Sequence, residues 1–537
     1  MRIGLDLDNT LVCYDRVFAA ESIKLGIMPS SWRGSKQNLR DELQSRPGGE
    51  RLWQTLQGQV YGPGIEQATM YPGVAPFLMR SLQRGDELFI VSHKTEFGHF
   101  DPTRTPLRQA ALSWMESRGF FEKSRFGLIR ENIFFEGTRS EKVARISNLN
   151  LDCFVDDLEE VFAEEGFPSI NKVLFNAKAE GRHHDFQYKS WSEIGQQLLG
   201  PMRDSDCKML AQTFCPEQIE IVTQLRGHGN SRIYRILTNS GVVYALKSYP
   251  DLCIDPRPRL RNEVRACKLL EHLRLTPRSV SYDEELNFAL FEWIDGEVPC
   301  TIETSYINQA LSFVKKLEEL SDGISNDVPE ASEACLSGIQ LLSQVRGRIQ
   351  RFESIDDVVL QEFIENTIKP LWAEIHDWFL SKWPVNSLDD ELAQSKQMLS
   401  PSDFGFHNSL LRTDGSLRFI DLEYFGRDDP VKLISDFVWH PAMNLKVSHK
   451  IEWIEGMFTI FNQDAELPAR FCAAWPLYGL RWALIMLNEF HIDGWQKRLH
   501  AMPELGHSRK EIQQQQLYKA AEVCRHICEE KLECPYV

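Results

Sequence analysis

Three short apolar runs, IGLDLD at residues 3–8, LFIVS at 88–92 and CFVDD at 153–157, each break off on acidic or hydroxyl side chains. With Val173–Phe175 they predict four strands, Ile3–Leu7, Leu88–Ser92, Cys153–Val155 and Val173–Phe175, alternating with helical stretches. That alternation is the signature of a Rossmann-like α/β domain, expected here over residues 1–199. A mostly polar, helical-looking insert at about 15–70 separates the first two strands. Asp6 and Asp8 stand two apart and therefore on one side of their strand. Two carboxylates at a strand's carboxyl end, with Asn9 and Thr10 opening the loop, suit a metal-assisted nucleophile; a polar turn after a buried strand is the competing reading.

At 537 residues the chain is too long for one core, so two or three domains are expected. A formal charge of -17 argues against a protein that works by neutralising nucleic-acid phosphates. The twelve cysteines include no CxxC pair and read as reduced thiols; Cys524, His526, Cys528 and Cys534 are the nearest approach to a metal cluster, with free thiols preferred. The chain enters a strand at once, without the basic start and apolar segment of a leader, and no run spans a bilayer. A cytoplasmic location and no membrane partner are expected.

GPMRDSDCKML opens an expected linker over residues 200–214. Beyond it the pattern changes to strands with one helix near Asn262–His272, and from about 303 the chain is mainly helical. Gly227, Gly229 and Asn230 lie between two strand-like runs, as either a hairpin turn or a close-approach loop for an anion. Lys247 sits in the apolar strand VVYALKS, where an ammonium needs a partner, and Glu263 in the following helix offers a carboxylate; a surface Lys and Glu is the alternative. SPSDFGFHN at 400–408 spells DFG, but also Asp-x-x-x-x-Asn, and RFIDLEYFG follows thirteen residues after Asn408. No Asn stands where a base loop upstream of Asp403 would need it. The order Asp403, Asn408, Asp421 therefore reads as base, metal amide, metal carboxylate.

Residues from about 210 to 500 resemble the aminoglycoside phosphotransferase and choline kinase family, a bilobal α+β protein-kinase-like fold with an N-lobe at 215–298 and a C-lobe with a helical acceptor region at 299–537. The resemblance implies Gly227, Gly229, Asn230 and Lys247 on nucleotide phosphates, Glu263 pairing Lys247, and FALFEWIDGE as the hinge, with backbone near Glu292 and Ile294 holding adenine. It implies Asp403 as catalytic base and Asn408 and Asp421 as magnesium ligands. The family's His two residues before the base is replaced here by Pro401, which leaves the loop without its usual brace. Asp436 reads as structural; Trp439, His440, Arg481 and Trp482 could line the acceptor pocket or belong to the core.

The first ~190 residues resemble the haloacid dehalogenase (HAD) superfamily, whose four motifs match Asp6-x-Asp8, Ser92, Lys142 and the pair Asp156–Asp157. The resemblance implies Asp6 as nucleophile, Asp8 as general acid and base, Ser92 and Lys142 on the phosphoryl oxygens, and Asp6, Asp8 and Asp156 at Mg2+, with Asp157 in support and the insert as a substrate-selecting cap. His93, Lys94 and His99, in the segment after Ser92, read as solvated loop residues, with substrate contact as the alternative.

Together these readings describe a bifunctional Mg2+-dependent phosphatase and ATP-dependent kinase acting on phosphorylated and hydroxylated small molecules, such as a sugar or polyol. If both sites worked on one position they would only hydrolyse ATP, so relocation of a phosphate is the coherent outcome. Nucleic-acid end processing and a nucleotide-binding sensor with an inactive kinase domain are the alternatives.

Overall fold

The computed structural model describes all residues except 33, 101–103, 178–183, 226–230, 254, 322–327, 385–387, 502–508 and 531. The chain divides into two units, one of Met1–Val222 with the short segments Asp251–Cys253 and Asp283–Asn287, the other of Thr223–Pro250, Ile254–Tyr282 and Phe288–Val537.

The first unit is built on a six-stranded parallel sheet. Its strands are β1 (Arg2–Leu5), β2 (Glu87–His93), β3 (Ile133–Glu136), β4 (Cys153–Asp156), β5 (Asn171–Phe175) and β6 (Gln187–Tyr188), in the order β3-β2-β1-β4-β5-β6. The chain moves outward from β1 through β2 to β3 and then returns to β1's other side with β4. That reversal makes β1 the switch point, and an open α/β sheet leaves its crevice at the carboxyl ends there. Ile3, Leu5 and Leu7 are fully buried, and so are Val91, Ile146 and Phe154 in the apolar cluster on one face of the sheet. β3 and β6 were not expected; β3 carries phenylalanines that are only half-buried and β6 is two residues long, so neither shows as an apolar run.

The insert consists of helices Asp15–Lys24, Lys36–Gln44 and Gly49–Tyr61 and a 3-10 turn at Pro63–Gln67. Its ends are tied by a two-residue antiparallel ladder, Val12–Cys13 against Thr69–Met70, directly after Asp8–Leu11. It has its own small core, with Phe18 stacked on Trp53 at 5.1 Å and Leu39, Leu43, Leu56 and Val60 fully buried. The ladder and this core hold the insert's base beside the end of β1.

The expected linker is in part a helix, Asp204–Gln212, that buries Cys207, Leu210 and Ala211. Its Asp206 pairs with the buried Arg80 at 3.1 Å, which also donates to the Gly200 carbonyl at 2.8 Å. Apolar residues at i, i+3 and i+4 are a helical stripe, but the charges on the other face obscure it in the sequence.

In the second unit a five-stranded sheet comes first, ordered β10-β11-β9-β8-β7: β7 (Ile219–Leu225), β8 (Arg232–Thr238), β9 (Val243–Ser248), β10 (Ser279–Asp283) and β11 (Phe288–Glu292). β8, β9 and β11 pair antiparallel, with Lys247 opposite Ala289. Helix Arg259–Leu270 packs on this sheet. The remainder is mainly helical and includes Thr304–Ser321, Gly338–Glu353, Pro430–Trp439, Val447–Ile460, Leu467–Met486 and Arg509–Glu529. Sheet first and helices after make a kinase-like bilobal arrangement, in which two short hairpin-like pairs, Met398–Ser400 with Gly426–Asp428 and Ser409–Leu411 with Leu417–Phe419, carry the polar loops.

Candidate active sites

In the first unit the topology brings the expected acids together at the switch point. Asp6 follows β1, Asp156 ends β4 and Asp157 comes next, and their carboxylates approach within 4.8 Å of one another. Lys142, from helix Arg139–Asn148, donates to Asp6 Oδ1 and to Asp156 Oδ2, both at 2.6 Å. All three side chains are buried. Burial pushes the Asp6 carboxyl up to about 7, Lys142 opposing and Asp156 and Asp8 reinforcing the rise. The carboxylates in turn keep Lys142 protonated against its own burial. Thr10 donates to Asp157 Oδ1 at 3.2 Å, and burial raises the Asp157 carboxyl.

Ser92 lies in β2, 1% exposed, with a hydroxyl that has no hydrogen-bond partner. A buried hydroxyl without a partner is rare and calls for an explanation. An oxyanion delivered to the site would supply one. Three clustered carboxylates with oxygen donors suit a hard divalent cation such as Mg2+. The donor set therefore fits the metal the sequence implies, through Asp6 and Asp156.

Asp8 stands apart from these acids. It is not in the Asp6–Asp156–Asp157 group. Its Oδ1 accepts the Tyr14 hydroxyl at 2.6 Å and its Oδ2 pairs with Lys94 at 2.7 Å. Both side-chain oxygens of Asp8 are thus held by donors, Tyr14 and Lys94. Lys94, expected as a solvated loop residue, is only 3% exposed; His93 and His99 are exposed, as that reading had it. No spacing rule would have found it, because its burial depends on Tyr61 of the insert, whose ring lies 5.4 Å from its Nζ.

In the second unit Lys247 is the centre. Its Nζ donates to Glu263 Oε2 at 2.6 Å and Asp421 Oδ1 at 2.5 Å, and lies 3.0 Å from Glu423 Oε2. The Lys–Glu pair read from the sequence is thus an internal ion pair, with two further carboxylates. Burial opposes the charge on Lys247, and Asp421, Glu263 and Glu423 outweigh it. Burial also lifts the Asp421 carboxyl to about 7, with Lys247 opposing. Glu423 is secured by Arg259 at 2.6 Å and by Ser231 at 3.1 Å; it stood beside Asp421 in the sequence without an assigned role.

The hairpin Ser409–Leu411/Leu417–Phe419 explains how Asn408 and Asp421, thirteen residues apart, become neighbours. Asn408 precedes one arm, Asp421 follows the other, and the Ile420 amide donates to the Asn408 carbonyl at 2.9 Å. Asp421 has φ +65°, a left-handed backbone that a non-glycine residue adopts at a cost and that often marks working positions. The Asn408 side-chain NH2 donates to the Asp403 carbonyl at 3.0 Å, leaving its amide oxygen for a cation. Asn408 and Asp421 both offer oxygen, so they too fit Mg2+.

Asp403 is held by two histidines. His407 Nε2 lies 3.2 Å and His440 Nε2 3.7 Å from Asp403 Oδ1, and the two imidazoles stack at 3.9 Å with a 4° tilt. Burial alone would raise the Asp403 carboxyl, but the His407 hydrogen bond with the charges of His407 and His440 brings it well below the usual range. His440 itself is pushed down to about 4, by burial first and then by His407. Ser402, at φ +67°, is fixed by a 2.9 Å hydrogen bond from Lys432. Phe404 anchors the loop in an aromatic cluster with Phe313, Phe419, Phe437 and Trp453. A Cβ on Gly405 would meet Met443 Sδ at 2.4 Å and His407 Nδ1 at 2.8 Å, so the DFG spelling reflects packing.

Of the expected acceptor-lining residues, Arg481 is buried in ion pairs with Glu333 at 2.9 Å and Asp436 at 3.5 Å. Trp439 packs on Trp475 at 4.5 Å, and Trp482 donates to Asp436 at 2.8 Å while its ring meets His440 edge-on. His440 is the one placed beside Asp403. The Glu292 amide donates to the Arg278 carbonyl at 2.9 Å, so that backbone donor is committed within the sheet; Ile294, two residues on, is half-buried. Gly227, Gly229 and Asn230 fall outside the described residues. Cys524, His526, Cys528 and Cys534 are not among the ligand groups that converge in the described residues.

Residues 221–458 match the model of the phosphotransferase enzyme family. This part of the chain is a phosphotransferase-type domain. Among solved structures, choline kinase LicA from Streptococcus pneumoniae is 14% identical and aligns over 57% of this chain and 94% of its own, with a TM-score of 0.37. The ethanolamine kinase of Plasmodium vivax is 14% identical over 64% of this chain and 95% of its own, TM-score 0.40. The macrolide 2'-phosphotransferase MphH of Brachybacterium faecium is 13% identical over 56% and 99%, TM-score 0.38. No curated protein matches the chain.

Proposed function

We propose that the chain is a bifunctional enzyme: an ATP-dependent kinase of small hydroxylated molecules in the second unit and a Mg2+-dependent phosphomonoesterase of HAD type in the first. The observation that carries this reading is that each unit centres a buried lysine on carboxylates, Lys142 on Asp6 and Asp156 and Lys247 on Glu263, Asp421 and Glu423. Beside each cluster stands one further carboxylate outside the lysine's reach, Asp8 and Asp403, held by hydrogen-bonding side chains.

In the kinase, Asp403 orients the acceptor hydroxyl and takes its proton as that oxygen attacks the γ-phosphorus of ATP and the bond to ADP breaks. The His407–His440 stack fixes the carboxylate in place of the missing histidine. Lys247, held by Glu263, faces the nucleotide phosphates. A cation on Asn408 and Asp421 would supply charge neutralisation to those phosphates.

In the phosphatase, an Asp6 carboxylate oxygen forms the bond to phosphorus as the ester P–O bond breaks, and the proton shared between Lys94 and Asp8 passes through Asp8 to the departing alcohol. Asp8 then takes a proton from the water that cleaves the aspartyl-phosphate, releasing inorganic phosphate. Lys142 and Ser92 hold the phosphoryl oxygens, which gives the orphan Ser92 hydroxyl its partner. A cation on Asp6 and Asp156 would lower the repulsion between nucleophile and phosphate.

The two activities on one metabolite relocate a phosphate between hydroxyls. A panel of sugar and polyol phosphates incubated with ATP and Mg2+, with phosphate positions mapped by 31P NMR, tests this. Relocation requires a monophosphate carrying its group at a new position, lost in both Asp403→Ala and Asp6→Asn; if the two variants affect unrelated metabolites, relocation is wrong.

A further inference from the structure

The insert brings a third lysine to the first site. Lys36, the first residue of its second helix, points its Nζ at Asn9 Oδ1 at 2.8 Å and at the Tyr61 hydroxyl at 3.3 Å, 4.9 Å above the Phe18 ring. Among the described residues no carboxylate lies within ion-pair distance of it, and Asp157 and Asp15 act on it only from farther away. An ammonium enclosed by an amide and two aromatic rings is charged, half-buried and paired only with neutral groups. Lys94 reaches the same Tyr61 ring from the sheet side and meets Asp8 on the way. Two lysines thus lie on Tyr61, Lys94 paired with Asp8 and Lys36 with Asn9, neither of them in contact with the Asp6 and Asp156 carboxylates that hold Lys142. One anion is already provided for at Lys142 and Ser92. The charge on Lys36, with which no carboxylate among the described residues pairs, serves another, with Lys94 next to it on Tyr61.

We infer that the phosphatase substrate carries a second phosphoryl group, bound by Lys36 with Lys94 while Lys142 and Ser92 hold the one being removed. This rests on the phosphatase reading of the first unit and orders the two reactions. The kinase would act first: a monophosphate and ATP give a bisphosphate and ADP. Hydrolysis of the older ester then gives the relocated monophosphate and inorganic phosphate. Without a preference for the bisphosphate, the phosphatase would destroy the starting monophosphate before the kinase could use it. A second-anion pocket removes that competition.

The test compares glucose 1,6-bisphosphate with glucose 6-phosphate on the full chain without ATP, in wild type, Lys36→Met and Lys36→Arg. The ratio of kcat/KM for bisphosphate over monophosphate is expected to be about tenfold or more in wild type. It should fall roughly tenfold or more, toward one, in Lys36→Met, as expected for losing a hydrogen bond to a charged group, and be largely kept by Lys36→Arg. A wild-type ratio near one, or a ratio unmoved by Lys36→Met, overturns the inference. Calorimetric binding of the same two esters to Asp6→Asn, with and without Lys36→Met, separates the pocket from the chemistry. If wild type hydrolyses nothing while Lys36→Met still weakens bisphosphate binding selectively, the pocket stands and the phosphatase reading falls. If binding is equally indifferent to Lys36, both fall.

Discussion

Replacing Lys247 by Met would remove the one ammonium that holds Glu263, Asp421 and Glu423 together at 2.6, 2.5 and 3.0 Å. Methionine fills much the same volume, so the loss is mainly charge. Removing one partner from a buried pair typically costs about 3–5 kcal/mol, because the other charge is stranded. Here three carboxylates share one ammonium, which argues for the upper end, but each has some relief. Glu423 keeps Arg259 and Ser231, and Glu263 keeps the Tyr249 hydroxyl at 2.8 Å. Asp421, already lifted to about 7, can take up a proton. The expected loss is therefore about 3 kcal/mol at pH 8, near the lower bound. At about 2 °C per kcal/mol for a unit of this size, the melting temperature of the second unit drops by roughly 6 °C. Scanning calorimetry is the assay, since it resolves units that unfold separately. Protonation of Asp421 gives a sign: the loss should be smaller at pH 5.5 than at pH 8. Mg2+ should restore the variant more than it stabilises wild type, because the carboxylates have lost their resident cation. A drop under about 2 °C at pH 8, or no differential rescue by Mg2+, would refute the ammonium's role as keystone.

Ser92→Ala should leave stability within about 0.5 kcal/mol, since the hydroxyl makes no hydrogen bond to lose, yet cut phosphatase kcat roughly 100-fold; a marked stability loss in urea denaturation would contradict the first half. Asp403→Asn should lower kinase kcat by about 100- to 10,000-fold with the KM for ATP little changed, measured by ADP release, and leave phosphate release from a monoester intact. His440→Phe keeps the stack on His407 but loses the contact with Asp403, so about a tenfold fall in kinase kcat is expected; an unchanged kcat would show that His407 suffices. Asp6 and Asp421 hold their protons more tightly folded than unfolded, so their contribution is fully present below pH ~4 and is lost as pH rises toward 7. Asp403 and Glu423, shifted the other way, lose theirs only as pH falls below the carboxylate range. Between pH 5 and pH 8 the Mg2+-free protein should thus become less stable, and saturating Mg2+ should flatten that slope; a flat Mg2+-free profile would count against the buried protons.

Much of both sites was legible because the chemistry sits where strand patterning is strongest. Asp6, Ser92 and Asp156 end or follow runs of buried apolar residues, and a parallel sheet with its switch point at β1 must gather such ends in one crevice. Lys247 announced itself as a cation in an apolar strand, and Glu263 as the nearest helical carboxylate. Spacing failed where the partner arrives from a distant element. Lys94 looked like loop because burial requires Tyr61; His407 looked like filler between Gly405 and Asn408 until His440 stacked on it. The same holds for helix Asp204–Gln212, whose apolar stripe is only three residues wide and was taken for linker.

The sequence by itself determined the alternation of strands and helices in the first unit and the sheet-first order of the second, the three acids and the serine that end strands in the first, and the order Asp403, Asn408, Asp421 in the second. These are local statements, carried by apolar period and by residue type at strand ends. The tertiary structure decided which carboxylates share a lysine, that Asp8 is held by Tyr14 and Lys94 apart from the other acids, that two histidines stand behind Asp403 where Pro401 replaces the expected brace, and that Lys36 of the insert faces the first site. The reason is physical: the partner and protonation state of a buried charge depend on distances between segments far apart in the chain, and those distances exist only once the cores have packed.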